Sequence, residues 1–278
     1  MIEWTPSYPA GVAAGLLALA MGAMAQEPHT THIRAAHHAR LAEQLATPPE
    51  QLHQQCRFES EISTLPQPGT VALTFDDGPE PGKTEVILET LERHHIPATF
   101  FLIAEKAQRH PELVARIRAL PGAVIGNHSW SHPNFHDIPA AEQRQEIDRA
   151  DGVLRADAAP GMLFRYPYGN ASCDGNGRVH ALGYRIVGWH VDSCDWAYDS
   201  PEGLSTHDAL SCGVLLPYRK DMVGHVLSAL RAHRGGIVLM HEIHRSTVDA
   251  LETLVTKLQA EGYVFATPAD GVFATSLR

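Results

Sequence analysis

The 278-residue chain has no Cys-x-x-C pair, no low-complexity tract and no repeat of fixed period. Without a Cys-x-x-C pair a zinc knuckle is not expected. Basic residues are few, 22 Lys and Arg against 32 Asp and Glu, for a formal net charge of -10 with His neutral. That deficit argues against a nucleic-acid partner, because neutralising phosphates needs clustered cations; it is compatible with a neutral glycan. No apolar run is long enough to span a bilayer, which takes ~20 residues. The longest, Gly11–Ala25, ends in Ala23-Met24-Ala25, a small-x-small cleavage pattern. Residues 1–25 therefore read as a signal peptide whose removal leaves Gln26 first, and the chain as an exported protein, periplasmic or extracellular, with no stable membrane span after cleavage. The start is atypical, since Glu3 and no Lys or Arg precede the run; a start upstream of the true one and an uncleaved anchor are the alternatives. No Cys follows the run closely, so a lipoprotein anchor is not indicated.

Hydrophobic residues at 44% and charged residues at 19% suit a globular domain with a sizeable core. The four cysteines, Cys56, Cys173, Cys194 and Cys212, allow three connectivities in an oxidising compartment. The last three fall in loop-like segments, where at least one bridge is expected; spacing leaves the pairing open. His is abundant, 18 residues, and is the commonest metal ligand. Several, including His29, His32, His37, His38 and His53, sit in a polar stretch over residues 26–68. Ile33–Leu45 has helical propensity but a sparse apolar stripe, which predicts a solvated helix and linker, with metal gathering as the alternative. Pro66 and Pro68 mark a boundary.

Over residues 69–278 short apolar runs alternate with amphipathic stretches. The runs are Val71–Phe75, Ala98–Ile103, Ala123–Gly126, Met162–Arg165, Tyr184–Val191, Gly236–Met240 and Tyr263–Ala266. Helical patterns occupy Lys83–Arg93, Glu112–Leu120, Ala140–Leu154, Met222–His233 and Thr247–Glu261. This alternation predicts an α/β fold, a (β/α) barrel of about seven parallel strands, with an open doubly wound sheet as the competitor. Asp195 to Leu216 reads as a long irregular, functional or disulfide-held loop.

Reactive side chains in such barrels gather at the C-terminal ends of strands. The first strand runs into Asp76-Asp77-Gly78-Pro79, adjacent carboxylates that alternation would point in different directions. Read blandly, this is an Asx turn capping the next helix. The third run leads to His128-Ser129-Trp130-Ser131-His132-Pro133, whose two His can reach one metal from the same side. Two His and a carboxylate leave coordination open, as a hydrolytic zinc site needs. Arg165-Tyr166-Pro167-Tyr168-Gly169 offers an Arg that can orient a carboxylate and keep it ionised, or form a structural salt bridge. Asp192-Ser193-Cys194-Asp195-Trp196 follows; its Trp196 can stack on a sugar face or fill the core. His241-Glu242-Ile243-His244 supplies a proton donor for a leaving amine, its pKa raised by a nearby Asp.

Taken in order, these segments resemble the five motifs of the NodB-homology polysaccharide deacetylases, carbohydrate esterase family four: Thr74 to Pro79, His128 to Pro133, Arg165 to Gly169, Asp192 to Trp196, and Leu239-Met240-His241. The resemblance covers roughly Thr70 to the C-terminus. It implies a distorted (β/α) barrel and a divalent metal, usually zinc, with cobalt or another ion as alternatives. It implies Asp77, His128 and His132 as ligands, Asp76 as general base and Arg165 as its orienting partner. It further implies Tyr168 N–H as oxyanion donor, Leu239 in the acetyl pocket, and His241 as general acid supported by an Asp of the fourth motif, for which Asp195 is favoured over Asp192. Tyr166, where Ala is frequent, and Glu242, where Asp is common, depart from the pattern. The implied activity is N-deacetylation of an acetylated glycan of peptidoglycan or chitin type. An O-acetyl esterase on acetylxylan and a non-catalytic glycan-binding protein are the alternatives.

Overall fold

The computed structural model describes residues 27–58, 64, 66–158, 161–200 and 202–278. The expected leader lies outside the described residues. Among the described residues two helices come first, α1 (Glu27–Ala46) and α2 (Pro49–Gln54). The sheet then begins with β1 (Thr70–Gly78), α3 (Thr84–His94), β2 (Ala98–Leu102), α4 (Ala104–Arg109), α5 (Pro111–Ala119) and β3 (Val124–Asn127). Next come α6 (Ala140–Ala158), β4 (Leu163–Phe164), α7 (Cys173–Ala181), β5 (Arg185–Ile186), β6 (Val191–Asp192), α8 (Asp195–Tyr198) and α9 (Thr206–Ser211). The chain ends with α10 (Met222–His233), β7 (Gly236–His241), α11 (Arg245–Ala260) and β8 (Val264–Phe265).

Seven parallel strands in the order β5-β4-β3-β2-β1-β7-β6 curl into a half-barrel ringed by helices, and β8 pairs with the start of β1. β1 is central and buried along its whole length, which is why it reads as a nearly continuous apolar run. Its residues still divide by parity. Leu73 and Phe75 pack outward against the helices, with Ile87 and Leu91 of α3 and Leu251, Leu254, Val255 and Leu258 of α11. Ala72 faces the barrel interior with Phe101, Leu163 and Ile237. The α11 residues recur at the three- and four-residue spacing of a helix stripe, and burying each Leu side chain contributes ~2 kcal/mol. The chain enters β7 through Gly235, at φ +130, where a Cβ would collide with the Thr70 carbonyl; only glycine lets β7 lie this close to β1.

The fifth apolar run differs from expectation. Tyr184–Val191 is not one strand but two short ones, β5 against β4 and β6 against β7, at opposite ends of the sheet path. Residues 187–190 cross the opening between them. Their backbone is met by other groups: Arg165 Nε donates to Val187 O at 3.2 Å and Arg165 Nη2 to Gly188 O at 2.9 Å. Apolar composition alone does not distinguish a strand from a bridge held this way.

The stretch from Asp195 to Leu216 is not wholly irregular. It contains α8 and α9, and α9 begins with a capping box between Ser205 and Asp208. A Cys194–Cys212 disulfide closes it, and Cys56–Cys173 joins the segment after α2 to the start of α7. α1 is not a solvated helix. Ile33 and His37 are buried, 3% and 7% exposed, and the helix packs on α8, α9 and the turn at Pro167–Gly169.

Candidate active site

The strand ends converge on one pocket lined by Asp76, Asp77, His128, His132, Tyr168, Leu239 and His241, together with Tyr166, Trp189 and two residues of α1. Strict alternation would send Asp77 outward beside Phe75. The β1–β2 register slips between Asp76 and Gly78, and Asp77 adopts φ +72. This bulge turns the second carboxylate inward as well, a known use of bulges beside functional sites. The expectation that the two carboxylates point apart is therefore corrected: both enter the pocket and then face different partners.

Asp76 Oδ1 accepts from Arg165 Nη1 at 2.7 Å, in a pair whose members are 2% and 1% exposed. The same Nη1 donates to Thr74 Oγ1 at 2.8 Å, and Thr74 donates to Val238 O at 2.6 Å. With Val187 O accepting from Nε and Gly188 O from Nη2, the guanidinium is held on several sides. Asp77 Oδ1 lies 3.4 Å from His128 Nε2 and 3.1 Å from His132 Nε2. Burial alone would raise its pKa, but the two imidazoles hold it well below the usual carboxylate range. His128 Nδ1 donates to Arg165 O at 2.7 Å. A carbonyl can only accept, so Nδ1 carries the proton and Nε2 is free to ligate. Ser129 and His132, at φ +67 and +63, make the tight turn that folds His132 back onto Asp77.

These three residues fit a metal ion. Their ligand atoms lie within 4.8 Å of one another, and buried Asp77 Oδ1 makes no hydrogen bond of its own. One carboxylate and two imidazoles with an open side form the donor set of a hydrolytic site.

Across the pocket, His241 Nδ1 donates to Asp195 Oδ1 at 2.7 Å, while Asp195 Oδ2 accepts from His241 N at 2.6 Å and Thr247 Oγ1 at 2.5 Å. Burial would lower the His241 pKa; the Asp195 carboxylate overrides it and pushes the imidazole up to about 10. Asp195 moves the other way: burial would raise its carboxyl, and His241 holds it down to about 2. Asp192 takes a different part, its Oδ1 accepting from Cys194 N at 2.8 Å. Tyr168, at φ +57 in the turn after Arg165, sets its ring edge-on to His132 at 4.7 Å. Leu239 faces the pocket from β7.

Trp196 does not line the pocket, which corrects the sugar-stacking expectation. Its side chain is fully buried beneath α1, stacked on His37 at 5.0 Å and packed with Leu204 and Cys194. The start of α8 aims it into that small core. The departures from the family pattern also have places. Tyr166 packs edge-on between Phe135 and Phe164. Glu242 is fully buried, accepts from Thr84, and occupies the space that the missing Gly78 side chain leaves. Burial pushes its carboxyl up to about 8.

Sequence reasoning gave no specific site role to Thr74, Thr247, Trp189 or Ile33, and weighed His37 only for metal gathering. Thr74 had a signal, since it stands two residues before Asp76 and so shares its face. Nothing local marked Thr247 or Ile33.

The polysaccharide deacetylase family profile matches residues 64–187. A peptidoglycan-N-acetylglucosamine deacetylase of Bacillus cereus is 35% identical over 212 residues, 74% of this chain and 69% of the relative. The peptidoglycan-N-acetylglucosamine deacetylase PgdA of Listeria monocytogenes is 35% identical over 210 residues, 75% of this chain; the match spans 40% of that longer protein. Among solved structures, a peptidoglycan N-acetylglucosamine deacetylase in complex with 4-naphthalen-1-yl-N-oxidanyl-benzamide superposes with a TM-score of 0.63 at 30% identity, covering 80% of this chain and 96% of the other. A half-barrel with these residues at its strand ends and this degree of similarity leads to one assignment: the chain belongs to the polysaccharide deacetylase family.

Proposed function

We propose that this protein hydrolyses the N-acetyl group of acetylated amino sugars in a polysaccharide of peptidoglycan or chitin type, releasing acetate. The observation that carries the reading is a pair of opposed dyads, Asp76–Arg165 and His241–Asp195, flanking the Asp77, His128 and His132 cluster. An amide resists hydrolysis because water is a poor nucleophile and an amine a poor leaving group, and each dyad addresses one of these difficulties. Asp76, oriented by Arg165, accepts the proton of the attacking water. His241, kept as imidazolium by Asp195, delivers a proton to the sugar nitrogen as it leaves. Tyr168 N–H is assigned to the oxyanion, a donor whose loss costs ~3 kcal/mol, and Leu239 to the acetyl methyl. A divalent ion held by Asp77, His128 and His132, zinc first among candidates, would supply Lewis acidity that makes water a better nucleophile and polarises the acetyl carbonyl.

The reading places catalysis in residues 69–278 and the protein outside the cytoplasm, supported by the leader-like residues 1–25 and the two disulfides. Measuring acetate release from chitooligosaccharides, peptidoglycan and acetylxylan tests it. Release from either N-acetylated glycan and none from acetylxylan is expected; the reverse preference would replace the N-deacetylase reading with an O-esterase.

A further inference from the structure

One wall of the catalytic pocket does not come from the barrel. α1 precedes the residues that match the family profile, yet its Ile33 and His37, one helical turn apart, line the pocket with Asp77, His132 and His241. The space that remains is about that of one water molecule, whereas pockets that take small organic ligands run to some hundreds of Å³. A sugar carrying an acetamido group does not fit beside the docked helix.

The contacts that hold α1 down are of a kind that can be undone. Arg34 Nε and His38 Nε2 both reach Asp208 Oδ1, at 3.1 and 3.0 Å. Arg57 pairs with Glu43 through two hydrogen bonds of 2.9 and 3.1 Å, and Arg40 lies over Phe58 and Trp189 at 5.4 and 5.2 Å. The Glu43–Arg57 pair is open to water, its side chains 30% and 33% exposed, and a pair of that exposure contributes under ~1 kcal/mol. Arg34, 40% exposed, can exchange Asp208 for water, and Asp208, itself 4% exposed, keeps its hydrogen bonds from Ser205 when the helix leaves. The Cys56–Cys173 bridge, ten residues beyond the end of α1, is a covalent tether that persists when these contacts break. It keeps a released helix near the pocket at high effective concentration.

We propose that α1 is a tethered cap on the catalytic pocket: docked, it excludes the glycan, and the substrate-accepting state has α1 displaced on the Cys56–Cys173 tether. The identity of the excluded substrate rests on the deacetylase reading; the occlusion does not. If the open state is a minor one, apparent activity is reduced by its population, and loosening the anchors restores it.

The test uses the zinc-loaded full chain and the Arg34→Glu/His38→Glu variant, which sets two carboxylates against Asp208. Acetate release from chitotetraose and loss of zinc to excess EDTA are measured side by side. Both rates are expected to rise about tenfold or more in the variant, in proportion to the gain in open state. Ile33→Ser, which leaves the ion pairs intact and weakens the buried apolar contact of α1 with the Trp196 core, is expected to move both rates in the same direction and covers the case in which the double variant misfolds by circular dichroism. Equal zinc loss in wild type and variants overturns the cap. Slower acetate release with unchanged zinc loss also overturns it, making α1 part of the substrate site. Faster zinc loss with no acetate release from any form supports the cap and rejects the deacetylase reading.

Discussion

On the barrel side of the pocket, the charged groups are buried and each is held by close partners: Asp76 by Arg165, Asp77 by two imidazoles, His241 by Asp195. On the α1 side, the charged residues Arg34, Glu43 and Arg57 are partly exposed, the buried Asp208 that Arg34 meets has Ser205 as a further donor, and what enters the pocket is one Ile and one neutral His. Burial pushes the His37 imidazole down to about 3, so this wall brings no positive charge near the cluster. The contrast teaches how one pocket can have a rigid floor and a removable wall. Removing one member of a buried ion pair strands the other in a low dielectric and costs several kcal/mol, whereas a surface pair has water as a substitute partner.

That difference can be broken from either side. Asp76→Asn is expected to lower kcat/KM for a chitooligosaccharide about 10²- to 10⁴-fold, the usual share of a general base, while metal content by elemental analysis stays near that of wild type. A rate near wild type would remove Asp76 from the role. Arg165→Met strands Asp76 and is expected to lower unfolding free energy by about 3–5 kcal/mol in urea titration. A loss under ~1 kcal/mol would place the pair on the footing of the α1 contacts. Replacing both Cys56 and Cys173 by Ser should cost about 2–5 kcal/mol, because the bridge closes a long loop, 117 residues in sequence separation. Its pocket residues should be unaffected in metal content.

The His241–Asp195 pair predicts a pH dependence. The folded pKa of His241 lies above its unfolded value of about 6.5, so its stabilising contribution is full below that value and is lost as pH rises through about 10. Asp195 is shifted below its unfolded value, so its contribution is present above ~4 and is lost as pH falls toward about 2. The stability difference between wild type and Asp195→Asn, measured by urea titration, should therefore be largest near pH 5–6 and shrink toward alkaline pH. In the variant, kcat/KM should lose its alkaline limb at a lower pH, because a neutral Asn no longer holds the proton on His241. A difference independent of pH would uncouple the two residues. The smallest effect is expected for Glu43→Ala, which should change unfolding free energy by less than ~1 kcal/mol; a larger loss would mean that α1 is bound more firmly than its exposed pairs imply.

Much of the barrel floor was legible in the chain. β1, β2 and β7 are long enough to bury on both faces, so their apolar runs stand out, and the polar residues that end them stand out by contrast. The amphipathic patterns of α3, α10 and α11 fell within about two residues of the observed helices. The two-residue strands β4, β5 and β6 carry too little periodicity to be placed, and the split of Tyr184–Val191 across the opening depends on Arg165, which is distant in sequence. Trp196 was open to two readings because a buried and a stacking Trp look alike until their neighbours are known. The sparse apolar stripe of α1 pointed to solvent, since one Ile is a weak signal; it is buried because the small core of Trp196, Leu204 and Val214 lies against it.

What the linear chain determined is the chemistry at each strand end: which residue types can accept a proton, donate one or hold a metal, and in what order the strands present them. These are properties of side chains and of short-range alternation. The tertiary structure decided which of those groups meet. A bulge at Asp77 turned a carboxylate inward against its parity, Asp195 rather than Asp192 came within 2.7 Å of His241, and α1 came to lie over the pocket. Each depends on contacts between residues tens to hundreds of positions apart. Local propensity does not encode such contacts; they form because burial and charge pairing are satisfied together only in this packing.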